Sequence, residues 1–268
     1  MALIIFSHGN SFPASTYSVL LAQLREQGHT VDALEKFGHN PAYPVTSNWP
    51  HLVNELADFA RPIVAERGEP AYLVGHSLGG FLSVMVASQC PELVRGVVLL
   101  DAPILGGWRA RVLAFAKLVG LIERFSPGKI SQNRRVQWRN LADAQQHFNS
   151  KKLFAHWDAQ VLTDYVSLCT HDNALGQRVL GFQRDVETAI YNTLPHHLSY
   201  LLRKNPLKCG VAFIGGKNSL EMRQVGMDMT HQLAGTRVQM LAGTHLFPME
   251  TPYAAAQAIA NALDSLAV

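Results

Sequence analysis

The sequence predicts an α/β fold: a mostly parallel, doubly wound sheet of about six strands, with a helical insertion after the fourth. Three observations lead there. Six short apolar runs recur along the chain, each ended by turn residues, as strands covered on both faces require. Helix-length stretches separate them, and such alternation builds a parallel sheet. One long interval, residues 104–205, breaks the alternation and reads as several helices.

Taken in order, the first run is Leu3–Phe6, which leads directly into Ser7-His8-Gly9. It is short and lacks a basic n-region, so it reads as a strand rather than a secretion signal. Ala14–Gln27 follows as helix and Thr30–Ala33 as the second strand. Trp49–Arg67 is helical, Ala71–Val74 is the third strand, Leu78–Cys90 is helical and Gly96–Leu100 is the fourth strand. Beyond the interval come the strand Gly210–Ile214, the helix Ser219–Ala234, the last strand Arg237–Leu241 and a closing helix, Tyr253–Leu266. Within the interval, Trp108–Phe125 keeps Trp108, Val112, Phe115, Val119 and Ile122 on one face, an amphipathic pattern broken by Ser126-Pro127-Gly128. That apolar face is expected to fold onto the core, with contact to lipid, as in some lipase lids, as the alternative. Residues 1–103 and 206–268 then form the core, and 104–205 a helical cap.

Composition narrows the classes. A chain of 268 residues, 48% hydrophobic and 16% charged, can bury a large core in one ordinary domain, which excludes disorder as its main state. No repeat or low-complexity tract points to a solenoid, collagen or coiled coil. No run of apolar residues is long enough to span a bilayer. Cys90, Cys169 and Cys209 form no metal or redox spacing and suit buried thiols in a reducing compartment, so a cytoplasmic location is expected. The 12 histidines include no zinc-binding pair, so no metal or cofactor is expected. The net charge of +3 is too small to suggest nucleic acid. It is uneven, however: 104–205 carries 14 Lys and Arg against 7 Asp and Glu, and the rest carries 9 against 13. A basic insertion on an acidic body favours a small-molecule substrate with an anionic end, although cations on solvated helix backs account for it as well.

The chemistry concentrates at strand ends. Gly75-His76-Ser77-Leu78-Gly79-Gly80 lies between the third strand and the next helix. A Ser on so sharp a turn is exposed above the sheet at a helix N-terminus, and the turn requires small residues two positions to either side. Gly243-Thr244-His245 follows the last strand, where a base for Ser77 belongs. Ser7-His8-Gly9-Asn10 ends the first strand. Backbone N–H groups of Asn10 and Leu78 are the candidate oxyanion donors. His76 reads as packing, His8 as a support for the oxyanion loop, and His196-His197 as exposed linker residues. The aromatics of the interval, Trp138, Phe154, Trp157 and Tyr165, read mainly as helix packing, with one face toward a pocket.

These motifs together resemble the α/β-hydrolases, over residues 1–103 and 206–268. The resemblance implies a Ser–acid–His order, a cap inserted where 104–205 falls, and a Gly-rich loop like Gly38-His39-Asn40-Pro41. It also implies an eight-stranded sheet, but only seven residues precede His8, so the first two strands of that sheet are expected to be missing. The acid is the second departure. In Gly215-Gly216-Lys217-Asn218-Ser219-Leu220-Glu221, Asn218 stands where the family commonly carries Asp. Asp101, at the end of the fourth strand, is the leading candidate, as in some lipases and dehalogenases. Glu221, Asp228 or no acid at all remain alternatives. The resulting expectation is a serine hydrolase of small or medium, partly apolar carboxylic esters, using Ser77, His245 and Asp101. Hydrolysis of a diketone carbon–carbon bond by the same residues, a haloperoxidase-like side activity and a non-catalytic binding protein stay open. Dehalogenase and epoxide-hydrolase chemistry need an Asp nucleophile, which Ser77 replaces.

Overall fold

The computed structural model describes residues 1–119 and 128–267. Six parallel strands form one sheet: β1 (Leu3–Ser7), β2 (Thr30–Ala33), β3 (Ala71–His76), β4 (Val94–Leu100), β8 (Gly210–Gly216) and β9 (Val238–Leu241), in the order β2-β1-β3-β4-β8-β9. Alternation along each strand divides the apolar side chains between the faces. Ile4, Phe6, Val98 and Leu100 join one core, with α1 (Ser18–Glu26) and α12 (Pro252–Leu266). Leu3, Ile5, Val97 and Leu99 join the other, with α2 (Pro50–Arg67) and α3 (Leu78–Gln89). Both faces are therefore covered, which is why these strands read as continuous apolar runs.

The expected elements are present, with local adjustments. Ala14–Tyr17 forms a tight 3-10 turn ahead of α1. The helix read over Ser219–Ala234 is two helices, α10 (Leu220–Val225) and α11 (Asp228–Ala234), parted at Gly226, whose φ of 79° no helix can continue through.

The segment between β4 and β8 corrects the sequence reading twice. It holds α4 (Gly107–Leu118), α5 (Gly128–Gln132), α6 (Leu141–Asn149), α7 (Ala159–Leu168), α8 (Arg184–Asn192) and α9 (Leu198–Lys204). It also holds a small antiparallel sheet of β5 (Gln137–Trp138), β6 (Thr170–Asp172) and β7 (Arg178–Leu180). Strands of two or three residues are too short to leave a period in the sequence. The β6–β7 turn forms because the Asn173 carboxamide oxygen accepts from the N–H groups of Leu175 and Gln177. The second correction concerns α4. Trp108, Val112, Phe115 and Val119 are exposed, with only Ala110 buried, while Lys117 on the opposite side donates to the carbonyls of Thr193 and Leu194. Ile122, Phe125 and the Ser126-Pro127 break lie outside the described residues. His196 and His197 are half-buried rather than exposed. Among the described residues no helix is long and apolar enough to cross a membrane.

The inserted segment shares its packing with the sheet. Trp138, Phe148, Phe154, Trp157 and Tyr165 belong to the same apolar cluster as Phe6 and Phe12, and Phe12 meets Trp157 at 5.5 Å between ring centres.

One buried carboxylate tunes stability. Glu55 on α2 is 5% exposed, and burial pushes its pKa up to about 7 against the pull of the Gly38 N–H that donates to it at 2.8 Å. Its native pKa lies above the unfolded one. The associated stability is therefore complete at pH 4 and lost as pH rises through 7. Thermal melts from pH 5 to 8 are expected to lose up to ~3 kcal/mol through this group, and Glu55→Gln to flatten that slope. A slope unchanged by the substitution would assign the pH dependence to another group.

Candidate active site

The strand order sets the ends of β1, β3, β4, β8 and β9 side by side, and the loops leaving those five ends build the site. After β3 the chain turns into α3 through a single residue, Ser77, at φ 51° and ψ −114°. L-residues occupy that region only where the surroundings enforce it. Here the Ser77 N–H donates to the Leu100 carbonyl at 3.0 Å, and the Gly79 N–H to the His8 carbonyl at 3.1 Å. A Cβ on Gly79 would lie 2.0 Å from the Ser7 carbonyl oxygen, and one on Gly75 2.3 Å from the Gly79 carbonyl carbon. Backbone crowding thus dictates both glycines. Leu78 opens the helix, so its N–H has no intrahelical acceptor.

His245 reaches the site on the loop after β9. Its Nδ1 donates to Asp101 Oδ2 at 2.6 Å. Asp101 stands one residue beyond β4 with a φ of 43° and no exposed surface. Its carboxylate also accepts from the Gly216 N–H at 2.8 Å and the Ser219 hydroxyl at 2.6 Å, so three donors compensate for the lost water. The other two candidate acids are placed differently. Glu221 Oε2 lies 3.9 Å from the same Nδ1 on a side chain 46% exposed. Asp228 is exposed and lines a separate cavity with Arg109 and Arg203. Asn218 lies on the wall beside His245, its N–H donating to the Gly243 carbonyl.

The histidine next to Ser77 is more than packing. His76 is 1% exposed and joins two loops: its Nε2 donates to the His245 carbonyl at 2.9 Å, and its Nδ1 accepts from the Tyr17 hydroxyl at 2.6 Å. Tyr17 in turn accepts the Gly9 N–H at 3.0 Å. Burial, then the nearby His245, pulls the His76 pKa down to about 3, which keeps the ring neutral in this chain of bonds. His8 is fixed likewise, donating from Nδ1 to the Gly9 carbonyl and accepting the Phe37 N–H at Nε2. Burial holds its pKa near 4.

Ser77, His245 and Asn10 line one cavity of about 860 Å³, closed on one side by the inserted segment. Asn10 is oriented from that side: its Nδ2 donates to the Glu187 carbonyl at 3.0 Å, while its Oδ1 accepts the Ser11 N–H. The Ser11 hydroxyl donates to the Glu187 carboxylate, which pairs with Arg134 at 3.2 Å. Donor atoms of Asp101, Glu221 and His245 fall within 4.8 Å of one another. A cation there would have to displace the proton that His245 shares with Asp101.

The sequence pattern of the alpha/beta hydrolase family matches residues 4–258. The chain belongs to that family. Among curated relatives of this alpha/beta hydrolase, the monoglyceride lipase of Rattus norvegicus is 28% identical over 168 residues, 60% of this chain and 54% of the lipase. The 2-(acetamidomethylene)succinate hydrolase of Mesorhizobium japonicum is 35% identical over 104 residues, 37% of this chain and 35% of that enzyme. The chain thus spans about half or less of these relatives. A crystal structure of E-2-(acetamidomethylene)succinate hydrolase superposes with a TM-score of 0.74 at 20% identity, over 98% of this chain and 91% of that one, a likeness of fold.

Within this alpha/beta hydrolase, sequence reasoning brought Ser77, His245, Asp101, Asn10 and Glu221 to one site. It missed Ser219, Tyr17 and the Glu187–Arg134 pair. Ser219 carried one signal, a small hydroxyl at a helix N-cap beside the loop of interest. Tyr17 and Glu187 carried none, because their partners are 59 and 176 residues away.

Proposed function

We propose that the protein is a serine hydrolase of small or medium carboxylic esters, with 104–205 acting as a cap over its site. The carrying observation is the His245–Asp101 hydrogen bond beside Ser77 on its strained turn. Ser77 Oγ attacks the acyl carbon while its proton passes to His245 Nε2. Asp101 holds the Nδ1–H tautomer and stabilises the imidazolium. The N–H groups of Leu78 and Asn10 receive the negative charge that develops on the carbonyl oxygen. The proton on His245 then goes to the leaving alkoxide, which departs as the alcohol. Water, activated by the neutral His245, releases the acid and restores Ser77. The relatives named as a lipase and as a hydrolase support this class. A binding protein without turnover would draw support from Asn218 in the usual acid position, and the Asp101–His245 hydrogen bond argues against it.

The test is labelling with a small fluorophosphonate, read by intact mass and peptide mapping. One adduct, on Ser77, is expected. No adduct, or one on another residue, would overturn the reading.

The base also sets a pH profile. Burial lowers the His245 pKa, but the Asp101 hydrogen bond and the charges of Glu221 and Asp101 outweigh it and leave the pKa raised. Activity requires the neutral ring, so kcat/KM is expected to climb with pH through an apparent pKa above ~6.5. Glu221→Gln should move that limb to lower pH and leave the plateau within about threefold. An unmoved limb would mean that Glu221 does not act on His245.

A further inference from the structure

We propose that the cavity selects esters carrying a carboxylate remote from the scissile bond, and that Lys151 and Lys152 receive that carboxylate. This rests on the ester-hydrolase reading of Ser77 and His245 and narrows its substrate class.

The charges on the cavity wall are divided by origin. The core supplies Ser77 and His245 with two carboxylates, Glu221 and Glu250. The inserted segment supplies four cations, Arg134, Arg135, Lys151 and Lys152, against one carboxylate, Glu187. Pairing accounts for most of these. Arg134 is bound to Glu187 at 3.2 Å, and Arg135 to Asp143 at 3.1 Å. Both oxygens of Glu250 are occupied by Thr244, by its N–H at 2.7 Å and its hydroxyl at 2.6 Å. Of the cations, Lys151 and Lys152 are left, consecutive residues just beyond α6, and neither has an ion pair among the described residues, while Glu221 and Glu250 keep their charge on the core side of the cavity.

The field at that wall is positive even after pairing. His147, four residues before Lys151 and on the same wall, has its pKa lowered by burial and then by Lys151 and Arg135, with Arg134 adding to them against Asp143. Apolar side chains, Phe12, Phe148, Leu153 and Phe154, make up much of the remaining lining. A short apolar chain ending in an anion matches both features: the chain covers the aromatic lining, and the anion meets two ammonium groups without an ion pair among the described residues. Two adjacent lysines, flexible and strongly hydrated, suit a terminal carboxylate at the mouth rather than a planar buried fork. Their effect should therefore fall on substrate capture more than on the chemical step.

The test compares 4-nitrophenyl hydrogen adipate with 4-nitrophenyl hexanoate, which match in chain length and differ in the terminal charge. At low salt the wild type should prefer the adipate by about tenfold in kcat/KM, and the preference should shrink at 0.5 M NaCl. In Lys151→Gln/Lys152→Gln the adipate should lose about tenfold, chiefly through KM, while the hexanoate stays within about twofold. Equal rates for the two esters in the wild type, or a preference kept in the double variant, would overturn the inference while leaving the ester-hydrolase reading intact. If neither ester is turned over, that reading falls. The charge inference is then decided by calorimetry on the Ser77→Ala protein: binding of adipate but not adipamide supports it, and equal behaviour of the two overturns it.

Discussion

Replacing Ser77 by alanine is expected to lower kcat/KM on an activated ester by about 10⁴- to 10⁶-fold, since the attacking group of the whole sequence is removed and water must substitute for it. Folding should survive. Ser77 is half-buried, and the backbone bonds that hold the turn, Ser77 N–H to Leu100 and Gly79 N–H to His8, do not use the hydroxyl. The companion substitution Ser77→Gly gives a second reading of the same residue. At φ 51° and ψ −114° a side chain is strained and glycine is not. Ser77→Gly should therefore be as inactive as the alanine variant and more stable by about 1 kcal/mol, measured by denaturant unfolding. Retained turnover in either variant would remove Ser77 from the mechanism. A glycine variant less stable than the alanine one would mean that the turn is not strained.

Asp101→Asn should cost about 10⁴-fold in kcat, with KM changed little. The side chain is isosteric, so the loss is one of polarity. Oδ2 now accepts from both His245 Nδ1 and the Ser219 hydroxyl, and Oδ1 accepts from the Gly216 N–H. An amide nitrogen at either position confronts a donor with a donor. Turned toward His245, it favours the tautomer with the proton on Nε2, which cannot take a proton from Ser77. Turned toward Gly216, it leaves a buried N–H unpaired, at a cost of about 1–3 kcal/mol of stability. The same experiment on Glu221 separates the two candidate acids. Glu221→Gln should stay within about threefold on the pH plateau, because a half-exposed carboxylate at 3.9 Å is well screened. Comparable losses in both variants would divide the role of the acid between them.

Much of this molecule was legible before any coordinates. The central strands were readable because a sheet covered on both faces leaves unbroken apolar runs, as in Leu3–Phe6 and Ala71–Val74, whereas the edge strands Thr30–Ala33 and Val238–Leu241 include Asp32 and Gln239 and are partly exposed. The turn at Ser77 was readable because crowding of 2.0 to 2.3 Å excludes every side chain at Gly75 and Gly79, so a local constraint is written in local residues. His245 was readable from its place after the last strand. The small sheet of the inserted segment was not, since its β5 and β7 have only two and three residues. The outward apolar face of α4 was not readable either: a 3.6-residue period identifies a face and says nothing of what the face meets.

The sequence by itself determined the order of the core strands and helices, the places of Ser77 and His245 at strand ends, and the uneven distribution of charge. Each is a property of neighbours in the chain, where periodicity, glycine and proximity act directly. Only the tertiary structure decided which carboxylate bonds to His245, since Asp101 and His245 lie 144 residues apart and three acids were compatible with the chain order. It likewise decided that His76 bridges the loops of Gly9 and His245, and that Lys151 and Lys152 have no ion pair among the described residues on the wall of the cavity that holds Ser77. Those relations depend on the parallel order β1-β3-β4-β8-β9, which gathers distant strand ends at one edge, and pairwise contacts made by such a gathering leave no mark on the local pattern of residues.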